Sequence, residues 1–283
     1  MKKILCPTDF SPTATKALEY AIYIAKQSGG HLTVLHVVHL PIVDTSETAL
    51  VAGELLGEQL RDAGERLKAQ VMQIEERYGA NRAGSFTCDY LLKEALLTDL
   101  TEHLTKNEGY DLVVMGTTGG GSALEELLIG SNTEAVVDEV KCTLLAVPAK
   151  AAAPDFSNII YATDYADDDL NALRTVVELG SLFNSQIDMV HVVKETGVEE
   201  NTRAERFLDS VKGTFPDVPL QMHVVENKRR DEGLSSYFTQ HQGGVMAILR
   251  RHKGFFAELF SQSLADRMTY QAEIPLLILH DRK

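Results

Sequence analysis

The sequence ILCPTDF at residues 4–10 returns as IIYATDY at residues 159–165, which lies 155 positions later. A second pair of segments has the same spacing, since HVV occupies residues 36–38 and again residues 191–193. Two independent matches at one spacing indicate an internal duplication rather than chance. In both copies a short apolar run ends in a Thr-Asp pair followed by an aromatic residue. We therefore predict that each copy begins with a buried strand that ends in a polar loop.

The two copies also end alike. Residues 141–147 (KCTLLAV) resemble residues 273–279 (EIPLLIL) at a spacing of 132, so the second copy is shorter by 23 residues. A chain of 283 residues is long enough for two ordinary domains, and a small-residue stretch that ends at Pro154 separates the copies. We predict a first domain over residues 1–149, a linker over residues 150–156 and a second domain over residues 157–283.

Apolar runs alternate with helical patterns in each copy. In the first copy, runs rich in Val, Ile and Leu predict five strands, at residues 3–6, 32–38, 85–91, 111–115 and 143–147. Helical periodicity fills residues 12–28 and 49–78, whereas the second copy has a shorter helical pattern near residues 198–212. This alternation predicts an α/β fold with two tandem doubly wound, mainly parallel five-stranded sheets.

Sheets of this kind bind ligands beyond the carboxyl ends of their strands. In the first copy that rule selects the residues that follow Cys6, Val37 and Met115. The first helix, over residues 12–28, starts next to one of these places. Ser11 is its candidate N-cap and Gly29 its stop signal.

Composition and charge narrow the classes of function. The net charge of −14 disfavours nucleic acid and anionic membranes as partners, because both carry negative charge. Apolar runs fall short of the ~18 residues of a membrane helix, and the N-terminus lacks the pattern of a signal peptide. Cys6, Cys88 and Cys142 match neither a disulfide framework nor a metal site. We expect reduced thiols in a cytoplasmic protein.

A glycine-rich segment follows the fourth predicted strand. It reads GTTGGGS at residues 116–122, and GSNT follows a helical stretch at residues 130–133. Glycines let backbone N–H groups approach a polyphosphate, and a helix that starts after them adds partial positive charge. A Walker loop and a dinucleotide fingerprint are excluded, because no Lys follows the glycines and the first strand ends in Pro-Thr-Asp. For the glycines alone, the alternative interpretation is a flexible turn with ordinary helix caps.

Taken together, these segments resemble the universal stress protein family. The resemblance rests on PTDFS after the first strand, HV after the second and Met-Gly-x-x-Gly…Gly-Ser after the fourth, and the fold pattern occurs twice. It implies an adenine nucleotide alpha hydrolase-like fold that binds ATP, with Mg²⁺ carried by the nucleotide, or a related adenine nucleotide such as AMP. Family members dimerise through the last strand, so the resemblance also implies an intramolecular pseudo-dimer. A homodimer of two chains is compatible with the resemblance as well.

The resemblance assigns nucleotide-binding roles to particular residues of the first copy. Asp9 would recognise adenine, with help from the backbone of Pro7 and Thr8, and Val37 would flank the base. The ribose and phosphates would be held by Met115, Gly116, Gly119, Gly120, Gly130, Ser131 and Asn132. The family pattern has nine residues between its second glycine and Gly-Ser, whereas ten residues separate Gly119 from Gly130. Either Gly119 or Gly120 would therefore face the phosphates. The alternative role for Asp9 is to cap the first helix.

The second copy lacks the glycine motif. When the copies are aligned on their fourth strands, Leu249 takes the place of Gly116, and RRHKG follows at residues 250–254. We therefore predict that this copy does not bind a nucleotide in the same way. One hypothesis is that Arg250, Arg251, His252 and Lys253 bind another anion through their side chains; the alternative is a solvated basic loop.

Three functions are compatible with these features. The first is a stress-response regulatory protein that binds ATP with no or slow hydrolysis, because neither a catalytic base nor an arginine finger can be named. The second is a nucleotide-free interaction module with an unidentified protein partner. The third is an enzyme such as a phosphatase or nucleotidyl transferase, which the lack of a visible nucleophile disfavours. His36 and His191 are predicted to be hydrogen-bonded core residues rather than catalytic groups.

Overall fold

The computed structural model describes residues 1–38, 46–117, 131–250 and 273–280. In helix α2 the side chains are described from residue 53 onwards. The strands of the first copy are β1 (Lys3–Pro7), β2 (His31–Val38), β3 (Thr87–Glu94), β4 (Leu112–Gly116) and β5 (Thr143–Val147). Its helices are α1 (Pro12–Ser28), α2 (Ser46–Tyr78), α3 (Leu97–Asn107) and α4 (Ser131–Glu139).

The second copy repeats this order over a shorter span. Its strands are β6 (Asn158–Ala162), β7 (Gln186–Val193), β8 (Leu220–Glu226), β9 (Val245–Arg250) and β10 (Leu276–His280). Its described helices are α5 (Asp169–Ser181), α6 (Val198–Thr214) and α7 (Arg230–Gln240). Helix α6 spans 17 residues and its counterpart α2 spans 33, which accounts for most of the difference in length between the copies.

All ten of these strands lie in one sheet, in the order β3-β2-β1-β4-β5-β10-β9-β6-β7-β8. Strand pairs within each copy are parallel. The copies meet where β5 and β10 pair antiparallel, with Leu145 opposite Leu277. The predicted α/β class and the pseudo-dimer are confirmed. The two predicted sheets are joined into one, because the last strand of each copy offers its free edge to the other.

The sheet is covered by helices on both faces. Successive side chains of a strand point to opposite faces, so Ile4 and Cys6 pack in one apolar layer and Leu5 in the other. The first layer includes residues of α1, α2, α5 and α6, and the second includes residues of α3, α4 and α7. This is the doubly wound arrangement that the alternating pattern predicts.

Helix α1 begins and ends where the sequence predicts. Ser11 Oγ accepts a hydrogen bond from Ala14 N at 3.1 Å, and Gly29 ends the helix in the left-handed conformation with a φ of 61°. Strand β3 differs from its prediction of residues 85–91 at both ends, since it starts at Thr87 and ends at Glu94. Ser85 donates its N–H to the Arg82 carbonyl instead and so belongs to the preceding turn.

Cys6 and Cys88 are buried free thiols. Burial raises the pKa of the Cys6 thiol far above its ordinary value and that of the Cys88 thiol to about 12. Both are therefore protonated at neutral pH and poorly nucleophilic. As a separate finding, none of the helices in the described ranges is both long and apolar enough to cross a membrane.

Candidate functional site

The loop that follows β1 turns sharply and exposes Asp9. Thr8 N donates to the Leu35 carbonyl at 2.8 Å, and Thr8 Oγ1 accepts from Phe10 N at 3.0 Å. Phe10 adopts a positive φ of 64°, which is uncommon for a bulky residue and needs support from its surroundings. Asp9 Oδ1 accepts from Ser11 N at 2.9 Å. Its carboxylate is thus held at the rim of the sheet.

The alternative role of Asp9 as the cap of α1 is wrong. The hydrogen bond to the first turn of α1 comes from Ser11, whose Oγ accepts from Ala14 N. Asp9 instead closes a local turn one step earlier along the chain. Its exposed carboxylate therefore remains at the carboxyl edge of the sheet, where a ligand can reach it.

The same loop is built in the second copy. Thr163 N donates to the Val190 carbonyl at 3.0 Å, Thr163 Oγ1 accepts from Tyr165 N at 3.0 Å, and Tyr165 has a φ of 65°. These contacts lie 155 positions after their counterparts, so the duplication seen in the sequence extends to the backbone conformation. The turn is therefore a property of the Thr-Asp-aromatic segment rather than of one copy.

Three stacked side chains, those of His36, Phe10 and Arg66, support the loop that carries Asp9. His36 Nδ1 donates to the Thr8 carbonyl at 2.7 Å; because a carbonyl can only accept, Nδ1 carries a proton. The ring of Phe10 lies 4.7 Å from that of His36, and the Arg66 guanidinium lies 3.9 Å from the Phe10 ring centre. The loop is therefore braced by β2 and α2 together.

The second copy contains the equivalent stack. His191 Nδ1 donates to the Thr163 carbonyl at 2.6 Å, the rings of Tyr165 and His191 lie 4.3 Å apart, and Arg203 lies 5.5 Å from the Tyr165 ring. The prediction that both histidines are hydrogen-bonded is confirmed, and His191 is buried. His36 is only half-buried and lies under the candidate site. Sequence reasoning missed its supporting role, although the HVV repeat pointed to it.

The end of β4 lies beside this loop, because β4 is the neighbour of β1 with Val113 opposite Leu5. Gly116 contacts the first turn of α1 so closely that a Cβ there would lie 2.7 Å from Thr13 Cγ2 and 3.0 Å from the Thr13 carbonyl carbon. Thr133 Oγ1, in the first turn of α4, donates to the Gly116 carbonyl at 2.8 Å. Two helix N-termini, each with partial positive charge, therefore converge at Gly116.

The described residues bring together six of the predicted site residues at the carboxyl ends of β1, β2 and β4. Pro7, Thr8 and Met115 are buried, Val37 and Gly116 are half-buried, and Asp9 is exposed. Gly119, Gly120 and Gly130 lie outside the described residues. Ser131 and Asn132 begin α4, and their side chains are not described. Phe10, Thr13, Arg66 and Thr133 are neighbours that sequence reasoning did not select.

The second copy differs at the same place. Because Ile4 pairs with Leu112 and Ile159 with Val245, Leu249 occupies the position of Gly116, as the alignment predicted. Leu249 is only 3% exposed. Asp169, which corresponds to Ala14, is fully buried and accepts hydrogen bonds from Tyr161 Oη and Thr163 Oγ1, each at 2.6 Å. These three side chains thus form a buried polar network next to the turn at Thr163–Tyr165.

The hypothesis that Arg250 helps to bind an anion is not supported. Its guanidinium contacts α4 of the first copy, where Nη1 donates to the Val137 carbonyl at 2.6 Å and Nη2 to Asp138 Oδ1. Arg251, His252 and Lys253 lie outside the described residues.

Comparisons with known proteins support the fold. The model of the universal stress protein family matches residues 1–148. A universal stress protein of Methanocaldococcus jannaschii is 31% identical over 147 residues, which cover 52% of this chain and 81% of that protein. A solved universal stress protein from Archaeoglobus fulgidus superposes with a TM-score of 0.73 at 18% identity and covers 99% of this chain and 98% of its own.

Another solved structure with a similar fold has a different kind of name. It is the cytoplasmic domain of a prokaryotic cation chloride cotransporter, with a TM-score of 0.55 at 12% identity, and it covers 98% of this chain and 94% of its own. At such identities a likeness shows the fold alone. The same architecture therefore occurs in proteins of different biological roles, and function has to be argued from the site.

Proposed function

Since the chain belongs to the universal stress protein family, we propose that its first copy binds ATP or a related adenine nucleotide. In this proposal the protein is a cytoplasmic stress-response regulator that hydrolyses the nucleotide slowly or not at all. The observation that carries the proposal is the meeting of three features at one edge of the sheet. They are the exposed carboxylate of Asp9, the half-buried side chain of Val37 and the close approach of Gly116 to two helix N-termini.

The base is assigned to the β1–β2 side of this edge. An adenine ring carries an exocyclic amino group that donates hydrogen bonds, and the Asp9 carboxylate is an acceptor fixed by Ser11 N. Val37, the last residue but one of β2, would supply an apolar surface for the ring. The strained turn at Phe10, held by His36 and Arg66, keeps these groups in place before a ligand arrives.

The phosphates are assigned to the β4 side. Helix α4 starts at Ser131, immediately after the predicted phosphate residue Gly130, and Thr133 ties its first turn to Gly116. Backbone N–H groups and the helix dipole favour negative charge there, although the whole protein carries a net charge of −14. Mg²⁺ would enter with the nucleotide, held through phosphate oxygens. Ser131, Asn132 and the glycines 119, 120 and 130 keep their proposed contacts with phosphate.

The nucleotide-free interaction module stays as the second candidate. One observation favours it, namely the tenth residue between Gly119 and Gly130, where the family pattern has nine. In that case a protein partner would recognise the surface of the chain, and the Asp9 edge would have no ligand. For either candidate we retain the division into residues 1–149, 150–156 and 157–283 as our proposal.

The test is titration calorimetry with ATP and Mg²⁺ on three proteins. Wild type is expected to bind one nucleotide per chain. Asp9→Ala removes the carboxylate that faces the base and should weaken binding by about tenfold to a hundredfold, the usual effect of losing a hydrogen bond to a charged group. Asp164→Ala makes the same change in the second copy and should leave the affinity unaltered.

Three outcomes separate the candidates. Loss of affinity in Asp9→Ala alone supports nucleotide binding in the first copy. An equal loss of ATP affinity in both variants would show that Asp9 has no special role, and the proposed position of the base would be wrong. No heat from folded wild type up to millimolar ATP would favour the interaction module.

A further inference from the structure

The second copy reaches into the first copy through Arg250, the last residue of β9. Its Nη1 donates to the Val137 carbonyl at 2.6 Å, and Nη2 forms an ion pair with Asp138 Oδ1. The Arg250 side chain is only 8% exposed. The two Nη atoms of this buried guanidinium thus have partners on the last turn of α4, while Nε has none among the described residues.

Helix α4 is consequently fixed at both ends. Thr133 in the first turn donates to Gly116 of β4, within the first copy. Arg250 binds the last turn, where helix carbonyls lack partners and carry partial negative charge. The helix has nine residues and so spans about 13 Å. We expect a displacement at its Arg250 end to reach the Ser131 end, because a helix this short moves largely as one body.

Arg250 stands where the second copy has lost its glycine motif. Leu249 is the counterpart of Gly116 in the strand register, so Arg250 is the counterpart of Thr117. Thr117, the second residue of the glycine-rich segment in the first copy, is thus replaced in the second copy by the residue that holds α4. The second copy has lost the predicted phosphate motif and has gained a contact with the helix that serves it.

We propose that Arg250 is a positioning residue for the nucleotide site of the first copy, through which the second copy controls nucleotide affinity. Arg250 holds α4 so that the backbone N–H groups at its start face the phosphates. This inference rests on the proposed function for its effect on affinity, but its effect on α4 does not depend on a ligand.

We expect the ion pair between Arg250 and Asp138 to be independent of pH near neutrality, because the neighbouring histidine does not change its charge there. His280 lies opposite Arg250 in the β9–β10 pairing. Burial first, and then the charge of Arg250, lower the pKa of His280 to about 4, while Asp138 acts in the opposite direction. His280 is therefore neutral at pH 7 and does not compete with Arg250 for Asp138.

Two variants separate positioning from simple electrostatics. Arg250→Gln removes a positive charge and Asp138→Ala removes a negative charge, so their through-space effects on a bound phosphate are opposite in sign. Positioning predicts that both weaken binding, by about three- to tenfold. Arg206→Gln removes the same charge as Arg250→Gln from an exposed position on α6 and serves as the matched control.

Two measurements are made on the full chain: amide hydrogen exchange of residues 134–139 without nucleotide, and the Kd for ATP with Mg²⁺. We expect faster exchange in α4 and weaker binding for both Arg250→Gln and Asp138→Ala, with no change for Arg206→Gln. If Arg250→Gln fails to fold, Arg250→Lys replaces it, because Lys keeps the charge but concentrates its donors on one nitrogen.

The outcomes distinguish this inference from the proposed function. If amide hydrogen exchange in α4 is unchanged in Arg250→Gln, Arg250 does not hold α4, whether or not ATP binds. Faster exchange with an unchanged Kd, or tighter binding in Asp138→Ala, overturns the control of affinity. If wild type binds no ATP, the proposed function fails and control of affinity fails with it, while exchange still decides whether Arg250 holds α4.

Discussion

At the scale of single residues, the candidate site depends on a backbone turn that few residues tolerate. Phe10 and Tyr165 both take a left-handed conformation, and each ring packs against a histidine whose Nδ1 donates to the preceding Thr carbonyl. A positive φ at a bulky residue costs about 1 kcal/mol or more, which neighbouring contacts have to offset. The histidine therefore acts on the ligand edge indirectly, by holding the loop that carries Asp9.

The first prediction concerns His36. His36→Leu removes the donor to the Thr8 carbonyl and should lower the free energy of unfolding by about 1 kcal/mol, the typical net value of such a hydrogen bond. His36→Asn places an N–H close to the position of Nδ1 and should recover part of the loss. Urea unfolding of the three proteins measures the effect. Equal stability of the Leu variant and wild type would show that the bond contributes nothing.

At the scale of elements, the sequence predicts helices and strands well where their ends carry local signals. Helix α1 was predicted to the residue, because Ser11, Pro12 and Gly29 mark its limits in their own chemistry. The start of β3 was misplaced, because the turn formed by Ser85 and Arg82 and the pairing with β2 decide it. Such contacts join residues far apart or depend on turn geometry, which a one-dimensional pattern does not contain.

The site was predictable to a similar degree. Asp9, Val37 and Gly116 were found because they follow strands and match a motif. Arg66 and Arg250 were missed as supporting residues, because each acts across elements distant in sequence. Their side chains look like ordinary surface charges until the fold shows what they contact.

The second prediction concerns the packing of β4 against α1. Gly116→Ala places a methyl group 2.7 Å from Thr13 Cγ2 and close to backbone atoms that cannot move aside cheaply, so it should destabilise the protein by about 1–3 kcal/mol. Gly57→Ala is the matched control, because nothing lies within 4 Å of a Cβ there and Gly57 is within α2. Because alanine has a higher helix propensity than glycine, Gly57→Ala should be more stable than wild type by about 0.5–1 kcal/mol.

Thermal and urea unfolding of both variants measure the contrast. Opposite signs would support a glycine required by close packing at Gly116. A Gly116→Ala protein as stable as wild type would mean that α1 can move away from β4 at little cost. The convergence of the two helix N-termini would then be looser than the structure shows.

At the scale of the whole molecule, the two copies are joined at several places along the chain. Strands β5 and β10 form the shared sheet, and Arg250 crosses to α4. On another side, Phe156 between the copies stacks with Tyr23 of α1 at 6.1 Å and with Phe183 at 4.6 Å. The predicted linker thus packs against the first copy through Phe156, and we expect the copies to unfold together.

The pH dependence of stability tests the junction between the copies. Burial lowers the pKa of His280 in the folded protein to about 4, compared with an ordinary value of about 6.5. The unfolded chain therefore binds a proton at a pH where the folded chain does not, and stability falls as the pH decreases from about 6.5 towards 4. Linkage gives a loss of about 2 kcal/mol at pH 5 relative to pH 7.5.

Replacing His280 should remove that part of the pH dependence. Urea unfolding at pH 7.5 and pH 5 measures it in wild type, in His280→Gln and in the control His103→Gln, which changes an exposed imidazole of α3. His223, whose pKa is also lowered by burial, contributes equally to all three proteins. We expect the loss at pH 5 to be smaller by about 2 kcal/mol in His280→Gln alone. An equal loss in all three proteins would show that His280 reaches solvent, and that the junction around Arg250 and Asp138 is more open than the folded contacts indicate.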